Sequence, residues 1–222
     1  MSWLKSLFDP IGQFIALGGP VLAIIACVSV VTLAIVLLKF WQFRTDGVGR
    51  HRHIREALSR WDAGQTDAAV DSLKQSESYL ARVMLLATQV EDRPEGARRM
   101  EAEAEQAFVP LEKGLRVLDI VVQLAPLLGL FGTVLGMIEA FQSLQEAGSQ
   151  VDPSALAGGI WVALLTTAAG LAVAMPTSMA LTWFESQINM DRTLAEKAFA
   201  VFLTPLTQTS ASAANTNVRY GT

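Results

Sequence analysis

The residues best placed to do chemistry in this chain are hydroxyls set among glycines. The run Ala125-Pro126-Leu127-Leu128-Gly129-Leu130-Phe131-Gly132-Thr133-Val134-Leu135-Gly136 holds a proline, three glycines and a threonine in otherwise apolar sequence. Gly and Pro both weaken a helix in water, so their concentration here needs another reason. On a helix Pro126, Gly129, Gly132, Thr133, Gly136 and Ala140 share one face. Gly132 and Gly136 form a GxxxG pair, and Leu127, Phe131, Leu135 and Ile138 take the opposite face. Ala163, Thr167, Gly170, Ala174 and Ser178 make a second stripe, with Thr166 and Thr177 beside it. Small residues at this spacing let helices pack closely in lipid, and each Thr or Ser can bond a carbonyl one turn back. Two neighbouring helices with such stripes are expected to line something as well as pack. The lining offers hydroxyls but no titrating group, whereas a proton relay in a membrane runs on Asp, Glu or His. Glu139 falls toward one end of its helix, beyond the hydrocarbon centre. A proton path here therefore needs a carboxylate from another polypeptide.

The remaining candidates are weaker. His51 and His53 flank Arg52 with no further ligand beside them, so they read as a solvated basic face rather than a metal site. The single Cys27 can form neither an internal disulfide nor a metal cluster. No nucleotide-phosphate loop, metal-ligand cluster or nucleophile elbow occurs. The expectation is a non-enzyme without cofactor or metal and without a nucleic-acid partner.

The elements that must position the hydroxyls are membrane helices. The chain has 222 residues, of which 51% are hydrophobic, and a mean hydropathy of +0.36. Pro10 to Leu38, Ile120 to Ile138 and Pro153 to Phe184 contain no Asp, Glu, Lys, Arg or His, and a spanning helix needs about 20 mostly apolar residues. The first stretch is too long for a signal peptide and has no cleavage pattern, so it is expected to be retained as an anchor. It is rich in Ile, Val and Leu without a small polar stripe, which suits an outer, shielding helix. The basic residues cluster between Lys39 and Arg116, and the turn from Gln145 to Pro153 has none. The positive-inside bias puts that long loop in the cytoplasm, the short turn and the N-terminus in the periplasm, and the C-terminus in the cytoplasm. Trp41 and Trp183 then fall at cytoplasmic ends of spans.

Segment by segment, residues 1–40 are expected to hold an outer-interface helix and the first span. That interface helix, Ser2 to Phe8, would stop at Asp9-Pro10, and Gly18-Gly19-Pro20 would bend or start the span. Residues 41–116 form a cytoplasmic helical loop, with Ile54, Ala57, Leu58 and Trp61, then Leu80, Val83 and Met84, at helical spacing. Its breaks are Gly64-Gln65-Thr66 and Glu91-Asp92-Arg93-Pro94, with a joint at Pro110. Residues 117–144 are the second span, 145–153 the periplasmic turn and 154–184 the third span. Residues 185–222 are a cytoplasmic tail with a disordered end. The fold class is an all-α integral membrane protein with three transmembrane helices and long cytoplasmic helical extensions.

The run from Ala125 to Ile138 resembles the signature of the MotA/TolQ/ExbB proton-channel family. Gly159-Ile160-Trp161 and Ala163 to Leu171, followed by Pro176, resemble its third-helix motif. The likeness is strong over residues 110 to 190, and three spans with this loop look like the ExbB/TolQ branch. The resemblance implies a homo-oligomeric, pentameric ring around the paired helices of an ExbD- or TolR-like single-span protein, whose Asp carries the proton. It implies proton-driven mechanical work on a TonB-like or TolA-like protein from the bacterial inner membrane. Thr133 and Thr167 match the family's pore-lining threonines, with Thr166 and Ser178 grouped alongside them on the proton path. Pro126 matches the family's helix proline, and Gly129, Gly132, Gly136 and Gly170 are assigned to helix packing. Many relatives place a Glu where this chain has Val162, so its path through the third helix differs there. An ExbB-like role in TonB-dependent import, a TolQ-like role in Tol–Pal envelope maintenance and a non-conducting membrane scaffold remain open at this point, as do the cargo and the choice between proton and sodium.

Overall fold

A computed structural model describes residues 2–89, 93–146 and 153–203. Within them lie seven helices: α1 Ser2–Thr45, α2 Arg52–Asp62, α3 Thr66–Lys74, α4 Leu80–Ala87, α5 Arg93–Glu112, α6 Leu115–Glu146 and α7 Pro153–Leu203. Three helical segments are long and apolar enough to cross a membrane: Gly19–Thr45, Leu115–Glu146 and Leu156–Phe202. The chain divides into two compact units, Met1–Leu38 with Gly114–Thr182, and Lys39–Lys113 with Trp183–Thr222. The turn around 147–152, the break at Glu91-Asp92 and the tail from residue 204 lie outside the described residues.

In the first unit, α1 leaves helical geometry at Gly19, where φ is 66° and ψ is −167°. The helix before it runs through Asp9-Pro10, where the sequence predicts a stop. A single proline removes one hydrogen bond, whereas Gly18-Gly19-Pro20 joins the residue freest to reach positive φ to a proline with no N–H to lose. The bend expected at Gly18-Gly19-Pro20 therefore falls at Gly19, and the stop expected at Asp9-Pro10 does not form. Val21, Leu22, Ile25 and Thr32 of α1 are buried, while Val30, Val31, Leu33, Leu37 and Leu38 are exposed. The predicted outer face of α6 is exposed at Leu127, Phe131 and Ile138, together with Leu124, Leu130, Val134 and Phe141. Apolar surface of this extent suits lipid or other membrane helices.

The second unit is built like a soluble helical domain. Ile54, Ala57 and Leu58 are buried as their spacing predicts, and so are Leu80, Val83 and Met84. Trp61 is half-buried, edge-on to Phe202 with ring centroids 5.1 Å apart. Phe108, Leu111, Leu73 and Phe184 complete the core. The joint expected at Pro110 follows it closely: α5 ends at Glu112, and Gly114 turns the chain at φ 92° before α6. Lys39 is buried there and donates to the carbonyls of Pro110 (3.1 Å) and Leu111 (3.0 Å) and to Gln42 Oε1 (2.9 Å). A cation at the carbonyl end of a helix is favourably placed against its dipole.

One helix serves both units. α7 has 51 residues without interruption, roughly 77 Å at 1.5 Å per residue, more than twice the ~30 Å hydrocarbon core. Its buried positions are Ala163, Thr166, Gly170, Ala174, Thr177, Leu181, Phe184, Ile188, Asp191, Ala195, Ala198, Phe199 and Phe202. From Thr177 to Phe202 a run of them alternates spacings of four and three, with Phe199 buried beside it; that repeat keeps one seam of a helix facing its neighbours.

Candidate functional site

The glycines of α6 set its distance from α7. A Cβ on Gly129 would lie 2.9 Å from the Thr166 carbonyl oxygen and from Thr167 Cα, and one on Gly132 would lie 2.5 Å from Thr166 Oγ1. On Gly136 it would stand 3.0 Å from Ala163 Cβ, and on Gly159 2.7 Å from Ala140 Cβ. On Gly170 it would press on the Ala125 carbonyl and lie 3.2 Å from Gly129 Cα. These separations are inside ordinary van der Waals contact, so a Cβ on Gly129, Gly132, Gly159 or Gly170 would force a shift at the crossing, and one on Gly136 would be tight. The small-residue faces meet each other within one chain, as packing in lipid favours.

The hydroxyls divide into three kinds. Thr166, grouped by sequence with the lining residues, sits inside the seam at 2% exposure. Its hydroxyl is shared between Ala163 O (2.7 Å) in its own helix and Gly129 O (3.2 Å) across the crossing. Thr133 is half-buried and donates back to Leu130 O at 2.6 Å. Thr167 is different: its Oγ1 is buried and has no hydrogen-bond partner. Leaving a buried hydroxyl unpaired costs about 1–3 kcal/mol, so Thr167 is a donor without an acceptor inside its own chain. Val162, Pro126 and Ser178 are half-buried.

The seam keeps Gly129, Gly132, Gly136 and Ala140 of the predicted α6 stripe and Ala163, Gly170 and Ala174 of the α7 stripe, and differs by one residue elsewhere. On α6 it is Ala125, Gly129, Gly132, Gly136 and Ala140, with Pro126 and Thr133 at its edge. On α7 it takes Thr166 and Thr177 in place of Thr167 and Ser178. A step of one residue turns a helix face by about 100°. Thr133, Thr167 and Ser178 therefore sit off the intrachain seam, which Thr166 and Thr177 fill.

A second polar constellation, absent from the sequence reading, lies in the other unit. Asp191 is fully buried, at 0% exposure. Its carboxylate accepts from the Tyr79 hydroxyl at 2.8 Å and pairs with His51 Nε2. Gly49 N–H also reaches His51 Nε2, at 3.2 Å, and Ser78 Oγ lies 3.4 Å from Nδ1, so both ring nitrogens are engaged. Burial first, and then the Asp191 charge, push the Tyr79 phenol well above its ordinary pKa, so it stays a donor. His51 is thus 5% exposed and enclosed, a correction to its reading as part of a solvated basic face; His53 does remain open, with 43% of its side chain exposed. The buried carboxylate that draws His51 in lies 140 residues away. Reading the heptad of α7 past Phe184 would have placed Asp191 in the seam and marked it as needing partners. Among the described residues no three His, Cys, Asp or Glu side chains group to hold a metal.

The sequence that forms this site has counterparts in known proteins. The model of the MotA/TolQ/ExbB proton channel family matches residues 69–197. The chain is 35% identical to the biopolymer transport protein exbB1 of Vibrio cholerae over 160 residues, 70% of this chain and 69% of that protein. It is 31% identical to the biopolymer transport protein ExbB of Neisseria meningitidis over 199 residues, 80% of this chain and 84% of that one. A putative ExbB-like protein of Synechocystis is 32% identical over 71% of this chain; the match falls short of two thirds of that relative's length, at 64%. The chain is a multi-pass membrane protein and belongs to the MotA/TolQ/ExbB proton channel family, on its ExbB-like branch.

Proposed function

We propose that the chain is the ring-forming subunit of an inner-membrane motor that uses proton flow to do mechanical work on an envelope-spanning partner. Its N-terminus lies in the periplasm and its second unit in the cytoplasm, the orientation that the Lys and Arg between Lys39 and Arg116 favour. Copies of the chain, five by family resemblance, enclose a single-span ExbD- or TolR-like protein that brings an Asp. The work is passed to a TonB-like protein for import, with Tol–Pal envelope maintenance as the alternative within the same class. The chain performs no covalent chemistry of its own.

The observation that carries this reading is the unpartnered Thr167 hydroxyl. It lies on a helix without a carboxylate between Pro153 and Phe184; its own chain leaves it unpaired, and a turn of the side chain would present it to an incoming Asp from another chain. Thr133, at the edge of the seam, supplies a second hydroxyl once it turns from Leu130. Val162 offers no titratable group, so the proton passes this level on the partner's carboxylate. A hydrogen bond to a charged group is worth about 1.5–3 kcal/mol, roughly ten- to a hundredfold in a rate that depends on it.

The test is co-reconstitution with the single-span partner, measuring proton uptake into vesicles and complex mass by native mass spectrometry. The double variant Thr133→Val with Thr167→Val is expected to assemble at parental mass and lose at least tenfold of the uptake. Parental uptake would sink the reading. A ring that never conducts with any single-span partner would support the scaffold reading.

A further inference from the structure

In the second unit, positive charge gathers where the chain leaves α1. Arg50, Arg52, His53, Arg55 and Gln75 line a cavity of about 580 Å³, and Glu77 is the carboxylate at its rim. Glu77 is exposed and pairs with Arg50 at 3.1 Å. Arg52 and Arg55 are exposed and have no carboxylate partner among the described residues. Arg60 and Arg192, by contrast, are met by Glu56 at 2.6 Å and by Glu105 and Glu112 at 2.9 and 3.0 Å. The cavity therefore holds more cations than the fold neutralises.

The loop that presents them is fixed. Gly47 is buried at φ 67°, and a Cβ there would meet Glu77 O at 2.9 Å. Tyr79 N–H donates to Asp46 O at 3.3 Å, and Arg50 N–H to Gly47 O at 3.0 Å. Gly49 N–H reaches His51 Nε2 at 3.2 Å, and that ring is held by Asp191. Cations on a fixed loop lose less freedom when a ligand arrives.

Contacts inside the same unit set the level of this loop. Phe40, Trp41 and Trp183 are exposed aromatics close to the ends of the uncharged stretches, the Phe40 and Trp183 ring centres 6.0 Å apart. Tryptophans so placed mark the membrane–water interface. A Cβ on Gly49 would lie 3.4 Å from Gln187 Oε1, and His51 binds Asp191. At 1.5 Å per residue, Gln187 and Asp191 lie roughly 6 and 12 Å beyond Trp183 along α7. The headgroup layer is about 5–8 Å deep on each side of the hydrocarbon, so the loop begins at headgroup level. The covalent chain sets a matching limit: α1 ends at Thr45, and the stretch from there to Gly49 reaches at most about 14 Å.

We propose that this cavity is a lipid-headgroup site, in which Arg52 and Arg55 take the phosphate of an anionic phospholipid. Arg50, shared with Glu77, completes the positive wall, and the Arg stems let the guanidinium groups reach up or down within the headgroup layer. The site needs a membrane but no proton flow, so it stands apart from the ion path.

The test is hydrogen–deuterium exchange of the full chain in nanodiscs of phosphatidylcholine, with and without phosphatidylglycerol. Each cation near an anionic surface strengthens attachment by about fivefold. Phosphatidylglycerol is therefore expected to slow amide exchange over residues 46–55 at least threefold in the parent. Arg52→Gln with Arg55→Gln is expected to abolish that slowing. Arg98→Gln with Arg99→Gln removes the same charge from exposed positions of α5 and is expected to keep it. Inorganic phosphate added to phosphatidylcholine nanodiscs is expected to leave exchange unchanged. Exchange in the parent that ignores phosphatidylglycerol overturns the proposal, and decides alone if the Arg52 and Arg55 variant does not fold. Equal slowing by inorganic phosphate also overturns it, since the cavity would then take a free anion. So does equal loss in both double variants, which would reduce the effect to net charge.

Discussion

In the unit made of Met1–Leu38 and Gly114–Thr182, helices meet through absent side chains: Gly129, Gly132 and Gly170 leave no room for a Cβ. In the unit made of Lys39–Lys113 and Trp183–Thr222, they meet through large ones, with Phe108, Leu111, Met84 and Phe184 almost fully buried. The solvents that favour each arrangement differ. Water drives large apolar side chains together, whereas lipid gives them no such incentive and leaves close backbone approach and hydrogen bonds as the cohesive forces. The two halves are therefore expected to break in opposite ways, one on adding atoms and the other on removing them.

The largest effect is expected where a large side chain is removed. Phe108→Ala in the second unit should cost about 3–5 kcal/mol of stability, and it also strips the face on which Arg192 rests. Chemical denaturation followed by tryptophan fluorescence would measure it; a loss below 1 kcal/mol would mean the unit is not packed as described. Gly132→Leu adds atoms against Thr166 and should cost about 1–3 kcal/mol, seen as reduced recovery of folded protein from detergent. Recovery at the parental level would remove the close α6–α7 crossing. The smallest energetic effect should have the opposite sign. A Cβ on Gly158 meets nothing within 4 Å, so Gly158→Ala is expected to stabilise by about 0.5–1 kcal/mol through helix propensity alone.

The polar key of the second unit has a spectroscopic signature. The chain has two tyrosines, Tyr79 and Tyr220. Burial and the Asp191 charge hold the Tyr79 phenol protonated, above the ordinary value of about 10. A phenol whose pKa is higher folded than unfolded contributes stability below that ordinary value and loses it as pH rises further. Phenolate absorbance should therefore show a step that appears only as the fold gives way, and Tyr79→Phe should delete that late step. Two tyrosines titrating together near the ordinary value would contradict the buried Tyr79–Asp191 bond.

Much of the first unit could be read from residue types, because Gly, Ala and Thr at spacings of three and four have few other uses in apolar sequence. What escaped was the choice between adjacent residues at a few positions of the stripes. Thr166 and Thr167 are equally plausible on a helical wheel, and only the partner helix decides that Thr166 enters the seam while Thr167 keeps a free hydroxyl. In the second unit, local periodicity located the faces around Ile54 and Leu80. It could not pair His51 with Asp191, because that contact joins residues 140 apart in sequence. Of the two breaks expected in α1, the one at Gly18-Gly19-Pro20, which combines positive φ with a proline, forms and the stop at Asp9-Pro10 does not.

The central claim is that a buried threonine hydroxyl, left unpaired by its own chain, serves an acidic group brought by another. The most direct measurement compares two neighbouring threonines in vesicles containing the chain and its single-span partner. Thr167→Val should keep complex mass and stability while proton uptake falls at least tenfold. Thr166→Val should instead lose stability by about 1 kcal/mol, since its hydroxyl bridges the two helices, with uptake per folded complex within twofold of the parent. Uptake unchanged in Thr167→Val, or lost equally in both, would contradict the account.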